Sequence, residues 1–571
     1  MHIMKRRILY SLLITATLGL SSCESFLSEN PKDQITEEQA YQNSTLLYLN
    51  TVASLYTQVG ANGGGAGLQG TDRGLYDLNT FTTDEAMLPT RGGDWYDGGL
   101  WQNLFLHNWG TKNDLVKGSW DYLYKVIAQT NQSLDKLKEI LENNPENISV
   151  PKYISEVRAF RAMYYYYLLD MFARVPLVTS SSVAMEDVVQ SERSAVFNFV
   201  RTELEESVED LSDAHSNLTG EYYGRITKPV AYFLLAKLAL NAEVYADDNW
   251  TDGTKLDGKN IKFTVDGTEM NAWEATIAYC DKIAGLGYKL EPKFESNFSL
   301  KNESSVENIF TIPMDANLYK NEFYNLIRSR HYNHGNAYGQ GGWNGSSATK
   351  EALDAFGYGT SSQDPRFELT YYAGKVEGPN GTIKLDDGTD LEYVPSEITL
   401  DLSGKASEKT AGARMKKYEL DASATNDGKL QSNDIVLFRY ADVLLMYVEA
   451  VLGAPSEPYA NDITNDVNAL AVYNAVRARA GHLPVTSVSR NELLQERKFE
   501  FAFENQRWFD LQRVVGVSET IRIMEAHGQD SRLLPKQKFT KVERFQMLYP
   551  IPGREIRLLG KEILSQNEGY N

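Results

Sequence analysis

The stretch LLQERKFEFAFENQRWFDLQR, residues 493–513, decides the fold of this chain of 571 residues. Within it, apolar and charged residues recur at helical spacing: Leu493, Arg497, Glu500, Phe501, Glu504 and Trp508. Carboxylates and guanidinium groups at this spacing can pair along one helix face. Bidentate arginine geometry suits buried pairs that fix helix packing. We therefore interpret Glu496, Glu500 and Glu504 as structural residues and not as catalytic acids.

Similar apolar periodicity recurs along most of the chain and predicts a mainly α fold. The amphipathic candidates are 114–142, 153–174, 194–212, 226–246, 271–285, 434–452, 465–480 and 490–513. Helix pairs of roughly 34 to 40 residues favour tetratricopeptide-like stacking, in which each pair buries its face only against its neighbours.

Two long stretches rich in Gly, Asn, Asp, Ser and Tyr separate the helices, at about 60–110 and 290–430. At most a small β hairpin is expected in them, at 382–394. Loops of that length in a compact helical protein usually carry function.

The composition is that of an ordinary globular protein, with 42% apolar and 23% charged residues. There are 57 Lys and Arg against 77 Asp and Glu, which gives a net charge of −20 at pH 7. A balance this acidic argues against nucleic-acid binding and favours a neutral partner over a polyanion.

The N-terminus has the pattern of a targeting segment. Lys5-Arg6-Arg7 form a basic region, and the mostly apolar residues from Ile8 to Leu20 suit a secretory signal and are too short to span a bilayer comfortably. The residues LGLSSC resemble a bacterial lipobox ending in Cys23. We predict a signal peptide at 1–22, acylation of Cys23 and a polar tether at 23–36; the alternative is an ordinary signal followed by an incidental cysteine.

Motifs that would indicate catalysis or a cofactor are weak. GAGLQG (65–70) formally matches GxGxxG but lacks a preceding strand and a following helix, so we interpret it as a loop. HYNH (331–334) has no further ligands nearby to complete a zinc site. A lipidated Cys23 leaves Cys280 without a disulfide partner. We expect no cofactor, no metal and no enzymatic activity, although a glycosidase carboxylate pair could be nominated among so many acids.

Aromatic residues among glycines are the remaining candidates for a site. Sugar rings offer flat C–H patches edged by hydroxyls, so their sites need an exposed aromatic plane beside polar side chains. GGDWYDGG supplies Asp94, Trp95, Tyr96 and Asp97. A second stretch, HYNHGNAYGQGGWNG (331–345), supplies a matching set: Tyr332, Tyr338, Gln340, Trp343 and Asn344.

Structural roles compete with these assignments. Trp95 could instead fasten its loop onto the helices, and for Trp343 ligand contact and packing are equally favoured. Leucines accompany Trp101 and Trp109, which favours a core position for both. Trp120, Trp273 and Trp508 fall in helical patterns and are expected to pack.

Several ordered blocks resemble the RagB/SusD family. They are IVLFRYADVLLMYVEA (435–450), YNAVRARAG (473–481), residues 493–513, LYPIPGREI (548–556) and QNEGY (566–570), preceded by CESFLSENP (23–31), EVRAFRAMYYYYLLDMFARVPLV (156–178) and GRITKPVAYFLLAKLALNAEVYA (224–246). Ala173-Arg174 stand where the family would have a glycine before the proline.

The resemblance implies a single SusD-like domain over 37–571, with an N-terminal half at about 37–250 and a C-terminal half at 251–571. It further implies a lipoprotein on the outer-membrane surface that captures an oligosaccharide or polysaccharide on two loops. A SusC-like TonB-dependent transporter, on which the protein would sit as a lid, is the implied partner. A peptide-capturing relative would share the scaffold and have a deep chamber instead of an exposed Trp, and exposed aromatic loops could also serve a protein interface.

Overall fold

Helices carry most of the architecture, and about 47% of the chain is helical in this computed structural model. The structure describes residues 43–254, 256–315, 317–318, 320–456, 462–514, 516–528 and 541–570. The predicted signal peptide, Cys23 and the tether lie outside these residues, as does the predicted domain start at residue 37.

Ten helices of the described chain form the scaffold. In order they are α1 (Asp114–Asn143), α2 (Val150–Phe172), α3 (Arg193–Ser207), α4 (Lys228–Leu240), α5 (Ala272–Gly285), α6 (Tyr440–Leu452), α7 (Val467–Arg479), α8 (Arg490–Phe501), α9 (Arg507–Val514) and α10 (Gly516–Gly528). Helices that follow one another pack together, α1 on α2 and α2 on α3, and α5 packs between α4 and α6. The mainly α fold with stacked helix pairs is confirmed.

Shorter helices connect the scaffold and shape the loops. They are Ser44–Tyr48, Ser54–Tyr56, Leu75–Phe81, Leu100–Phe105, Ala242–Tyr245, Tyr324–Ser329, Tyr332–Asn336, Lys350–Ala355, Phe367–Thr370 and Gly553–Leu559. Local sequence explains where several scaffold helices begin. Asn113 accepts hydrogen bonds from the first turn of α1, and Asn271 with Glu274 forms a capping box at α5.

The strands of the described chain form small antiparallel pairs. They are 86–87 with 347–348, 175–176 with 190–191, 262–265 with 268–271, 308–312 with 435–439, 371–372 with 414–415, 374–375 with 392–393, 377–378 with 381–382, and 463–464 with 488–489. A bridge between Lys384 and Asp390 closes the hairpin predicted at 382–394.

Three predicted helices differ from the structure. The predicted helix 226–246 is α4 followed by the separate short helix Ala242–Tyr245. The first part of 434–452 is the buried strand Ile435–Arg439, which pairs with Asn308–Ile312 before α6 begins. The predicted helix 490–513 is two helices, because the chain breaks after Phe501 and takes positive φ at Phe503 and Asn505, 65° and 62°.

A buried ionic network replaces the pairing along one helix face that the spacing had indicated. The Glu500 carboxylate is completely buried and accepts from Arg366 and Arg439 at 2.7 and 2.6 Å and also from Arg479. Glu504 binds Arg439 at 2.6 Å. These carboxylates hold separate elements together, as the structural interpretation predicted, and their oxygens are occupied by cations.

The described chain falls into two units. Residues up to Asn50 form one, which contains the helix Ser44–Tyr48, and Thr51–Asn571 form the other, which contains all of the scaffold helices. Among the described residues, no helix is both long and apolar enough to cross a membrane.

Candidate functional site

The two aromatic loops, 91–99 and 331–345, meet in the structure. The indole Nε1 of Trp95 donates a hydrogen bond of 2.9 Å to the carbonyl oxygen of Trp343. Near it, the Tyr332 hydroxyl donates to the Asp94 carboxylate. A Cβ built on Gly345 would lie 2.9 Å from the Trp95 ring, so the absence of a side chain there lets the ring approach the second loop. We name the surface formed by these two loops the aromatic platform.

Trp95 differs from the flat, exposed ring that its glycine neighbours suggested. Its side chain is half-buried, and its ring centroid lies 6.2 Å from that of Trp101 and 6.4 Å from that of Trp343. The backbone at Trp95 has a φ of 61°, a left-handed conformation that is costly for a bulky residue. Trp95 therefore fastens one loop to the other, which corrects the expectation that it lies free on the surface.

Asp97 is held by the protein itself. One carboxylate oxygen, Oδ2, accepts hydrogen bonds from the Trp101 indole and from Arg73, each at 2.8 Å. Partial burial acts to raise the pKa of Asp97, but these hydrogen bonds outweigh it and the pKa lies below its ordinary value. Asp97 is thus ionised, and Arg73, which lies over the Trp101 ring at 5.3 Å, joins the rim of the platform.

Trp343 lies between a tyrosine and a lysine. Its half-buried ring packs edge-on against Tyr324, with centroids 5.3 Å apart. The Lys429 ammonium lies 5.7 Å from the Trp343 ring centroid and 5.3 Å from that of Tyr324. A cation in this position is attracted by the ring faces, so Lys429 stabilises the ring pair.

Tyr96 is the most exposed aromatic side chain of the platform, with 54% of its surface accessible. It directly follows Trp95, which is anchored, and it precedes Asp97, which is also anchored. The phenol ring is therefore presented to solvent from a fixed piece of backbone, which makes it the best placed platform ring for stacking on a ligand.

Other predicted residues lie elsewhere. Asn344 is completely buried and Gln340 is 5% exposed, so the structure corrects both as surface contacts. Gln340 instead accepts from Arg330 at 3.1 Å. Tyr338 is half-buried and its hydroxyl is directed to the Glu377 carbonyl at 3.4 Å, in strand 377–378 and not in the loop 91–99.

The tryptophans expected to pack do so. Trp101 and Trp109 are 1% and 6% exposed. Trp120, Trp273 and Trp508 are likewise buried. These positions confirm the core assignment for all five.

The HYNH histidines make hydrogen bonds that hold the second loop. His334 Nδ1 lies 3.0 Å from the Tyr393 hydroxyl, and His331 Nδ1 accepts from Asn333 at 3.1 Å. Within the described part of the chain, no group of three His, Cys, Asp or Glu side chains could hold a metal ion. Burial lowers the pKa of His331 to about 4, and burial together with the Arg330 charge lowers that of His334 further still.

These lowered pKa values predict an acid-sensitive loop. The unfolded chain binds protons to His334 below pH about 6.5 while the folded chain does not, so the stabilisation present above that pH is lost as the pH falls. We expect the difference in unfolding free energy between pH 7 and pH 4.5 to shrink by about 2 kcal/mol in His334→Gln. Chemical denaturation of both proteins at the two pH values measures it, and an unchanged difference would contradict the assignment.

The bond between Trp95 and Trp343 gives a second prediction. Trp95→Phe keeps a ring but leaves the Trp343 carbonyl without its donor, which costs about 1 kcal/mol of loop stability. Amide hydrogen exchange of residues 343–345 is expected to accelerate severalfold. Trp109→Phe, which removes an indole bond to Tyr570 outside the platform, is the matched control. Equal exchange in wild type and Trp95→Phe would show that the bond does not hold the loops together.

Sequence reasoning missed two cations of the platform, Arg73 and Lys429. Both are distant in sequence from the aromatic stretches. Arg73, for example, precedes Asp97 by 24 residues. No local signal marks either residue, because each gains its role only when the fold brings it to an aromatic ring.

Scaffold and platform together define a helical-repeat protein that presents aromatic and polar side chains on long loops. Comparison with known proteins agrees with this class. The family described as "SusD family" matches residues 306–570, and the family described as "Starch-binding associating with outer membrane" matches residues 36–240. These two matches, together with the SusD-named relatives below, support a SusD-like family member.

Individual relatives are distant, but the matches extend over at least 90% of the chain. The starch-binding protein SusD of Bacteroides thetaiotaomicron is 24% identical, with 98% of both chains covered. A solved structure described as a laminarin-binding SusD-like protein has a TM-score of 0.64 at 20% identity, covering 92% of this chain and all of that one. Another, solved with a xylogluco-oligosaccharide, has a TM-score of 0.62 at 19% identity, covering 90% and 98%. At these identities the structural likeness shows the fold.

Proposed function

We propose that this protein captures an oligosaccharide or polysaccharide on the aromatic platform without cleaving it. The observation that carries the proposal is the convergence of two loops, which brings Trp95 against Trp343 and leaves the neighbouring Tyr96 exposed beside a polar rim. Stacking on the rings and hydrogen bonds to the rim are the two interactions that a sugar offers.

Each platform residue has a distinct part in this binding. Tyr96 and the accessible part of Trp343 stack on C–H faces of the sugar, and Trp95 keeps the rings in register. The Oδ1 atoms of Asp94 and Asp97 make no hydrogen bond to the described residues and can accept from sugar hydroxyls, whereas Arg73 can donate to them. Since Asp94 and Asp97 are engaged by Tyr332 and Arg73, they position hydroxyls and do not act as acid and base.

A neutral glycan is the favoured ligand. The chain has a net charge of −20, so a polyanion would be repelled at long range. Affinity is expected to be modest, because a shallow platform leaves much of the ligand wet and each exchanged hydroxyl gains little.

The proposal also covers where the protein is located and which protein it works with. The family described as starch-binding and associating with the outer membrane supports surface display, with anchoring through acylated Cys23. A SusC-like TonB-dependent transporter would receive the glycan from the platform and import it, with this protein closing above it as a lid.

Affinity electrophoresis of the soluble protein, starting after Cys23, tests the ligand class. The gels contain neutral polysaccharides, anionic polysaccharides or none, and bovine serum albumin is the non-binding reference. Retardation by a neutral glycan is expected. Retardation only by anionic glycans would refute neutrality, and retardation by no glycan with binding to an oligopeptide library would favour peptide capture. Shortened sugar products after incubation would refute a purely binding role.

A further inference from the structure

A cavity of about 440 Å³ lies away from the platform, where the first turn of α3 meets α9 and α10. It shares no residue with the two aromatic loops. Val244, Trp250 and Met547 give part of its wall an apolar character, while Arg193, Arg513 and Arg544 supply cationic groups. Its volume falls in the range of about 300 to 1,000 Å³ that small-molecule sites occupy.

The cavity has several buried hydrogen-bond donors that lack an acceptor. Arg193 is 3% exposed, yet its Nε and Nη2 have no hydrogen-bond partner. The same holds for Nη1 of Arg513 and Nε2 of Gln512, whose side chains are 5% and 6% exposed. Among the described lining residues, each buried atom that lacks a partner is an N–H donor, Trp273 Nε1 included. Buried donors are rarely left unpaired, so this cavity is complementary to a ligand that brings acceptors.

The charges around the cavity are only partly compensated. Arg513 is held by Glu449 at 2.6 Å, and Arg490 by Asp462 at 2.7 Å. Arg193 and Arg544 form no ion pair with any described residue; Arg193 lies over the Tyr245 ring at 5.6 Å. Carboxylates of Asp170, Asp247 and Asp248 act on Arg193 from a distance, but burial dominates and lowers its pKa.

We propose that this cavity, the arginine cavity, binds a small organic oxyanion whose head group pairs with Arg193 and Arg513 and whose ring or apolar body lies against Val244 and Trp250. The head group is a carboxylate or a phosphate, since both accept bidentate hydrogen bonds from guanidinium. Binding there is independent of the glycan proposed for the platform, and it gives the protein a second class of ligand.

Isothermal titration of the soluble protein with benzoate, phenyl phosphate and inorganic phosphate tests the proposal, with benzyl alcohol as the uncharged analogue. Saturable binding of benzoate or phenyl phosphate is expected, with none for benzyl alcohol, and the stronger of the two identifies the head group. Binding of inorganic phosphate alone would show a simple anion site and overturn the organic ligand. Binding of none of these probes would overturn the proposal entirely.

Variants locate the binding. Arg193→Met is expected to weaken it about tenfold or more, as the loss of charged hydrogen bonds requires, and to leave Tm unchanged or raised because it removes an unpaired buried charge. Arg557→Met removes an exposed arginine of the last helix and is the control. If Arg193→Met lowers Tm by more than about 5 °C, Arg193 is structural and Val244→Trp decides, because a larger side chain there fills the space assigned to the apolar body. Undiminished binding in Val244→Trp would then place the ligand elsewhere.

Discussion

Glu500→Gln is expected to lower the free energy of unfolding by about 3–5 kcal/mol, because the change leaves three buried guanidinium groups without their common counter-charge. Glu500 is completely buried and contacts Arg366, Arg439 and Arg479. Although burial acts to raise its pKa, these three arginines hold the pKa of Glu500 well below its ordinary value. Urea denaturation followed by circular dichroism measures the loss.

Glu221→Gln provides the contrast. Glu221 is 75% exposed and lies 3.9 Å from Arg225, so its removal should change the unfolding free energy by less than about 1 kcal/mol. If Glu500→Gln were as mild as this control, the buried network would not be what holds α8 to the rest of the scaffold.

The second large effect concerns the platform. Tyr96→Ala and Trp343→Ala are each expected to weaken glycan binding about tenfold, which corresponds to roughly 1.4 kcal/mol. Each substitution removes a ring face on which the sugar stacks, and the double variant should lose nearly all glycan binding. Tyr96→Ala should leave Tm unchanged, because the side chain is largely exposed and makes few contacts. Titration with the glycan that retards the wild type gives the affinities.

Tyr358→Ala is the matched control for these variants. Tyr358 is 37% exposed and lies outside both loops, so the same truncation there should leave the affinity unchanged. Full affinity in the double variant, or a loss shared equally by Tyr358→Ala, would remove the glycan site from the platform.

Sequence periodicity predicted the helical scaffold well, and its failures have a common cause. The run 435–438 is apolar throughout, a pattern that suits a buried strand as well as a helix. Its partner, Asn308–Ile312, is more than a hundred residues away, so nothing local selects the strand. The break after Phe501 likewise depends on distant residues, since Arg439 and Lys417 both bind Glu504.

The sequence predicted which loops form the site better than it predicted which of their side chains are exposed. Composition marked 91–99 and 331–345 as candidate loops, and the family resemblance gave the reason to pair them; the structure brings them into contact. The expectation that Trp95 is exposed was wrong, because its indole donates to the carbonyl of Trp343, 248 residues further along the chain. Asn344 was also expected at the surface, because it lies between Trp343 and Gly345. Its φ is 49°, and its side chain is completely buried.

A co-crystal structure of the soluble protein with its retained oligosaccharide tests the central claim most directly. We predict a sugar ring stacked on Tyr96 or Trp343, with a hydroxyl bound to Asp94, Asp97 or Arg73. A sugar bound at a different surface, with the two loops unoccupied, would contradict the account.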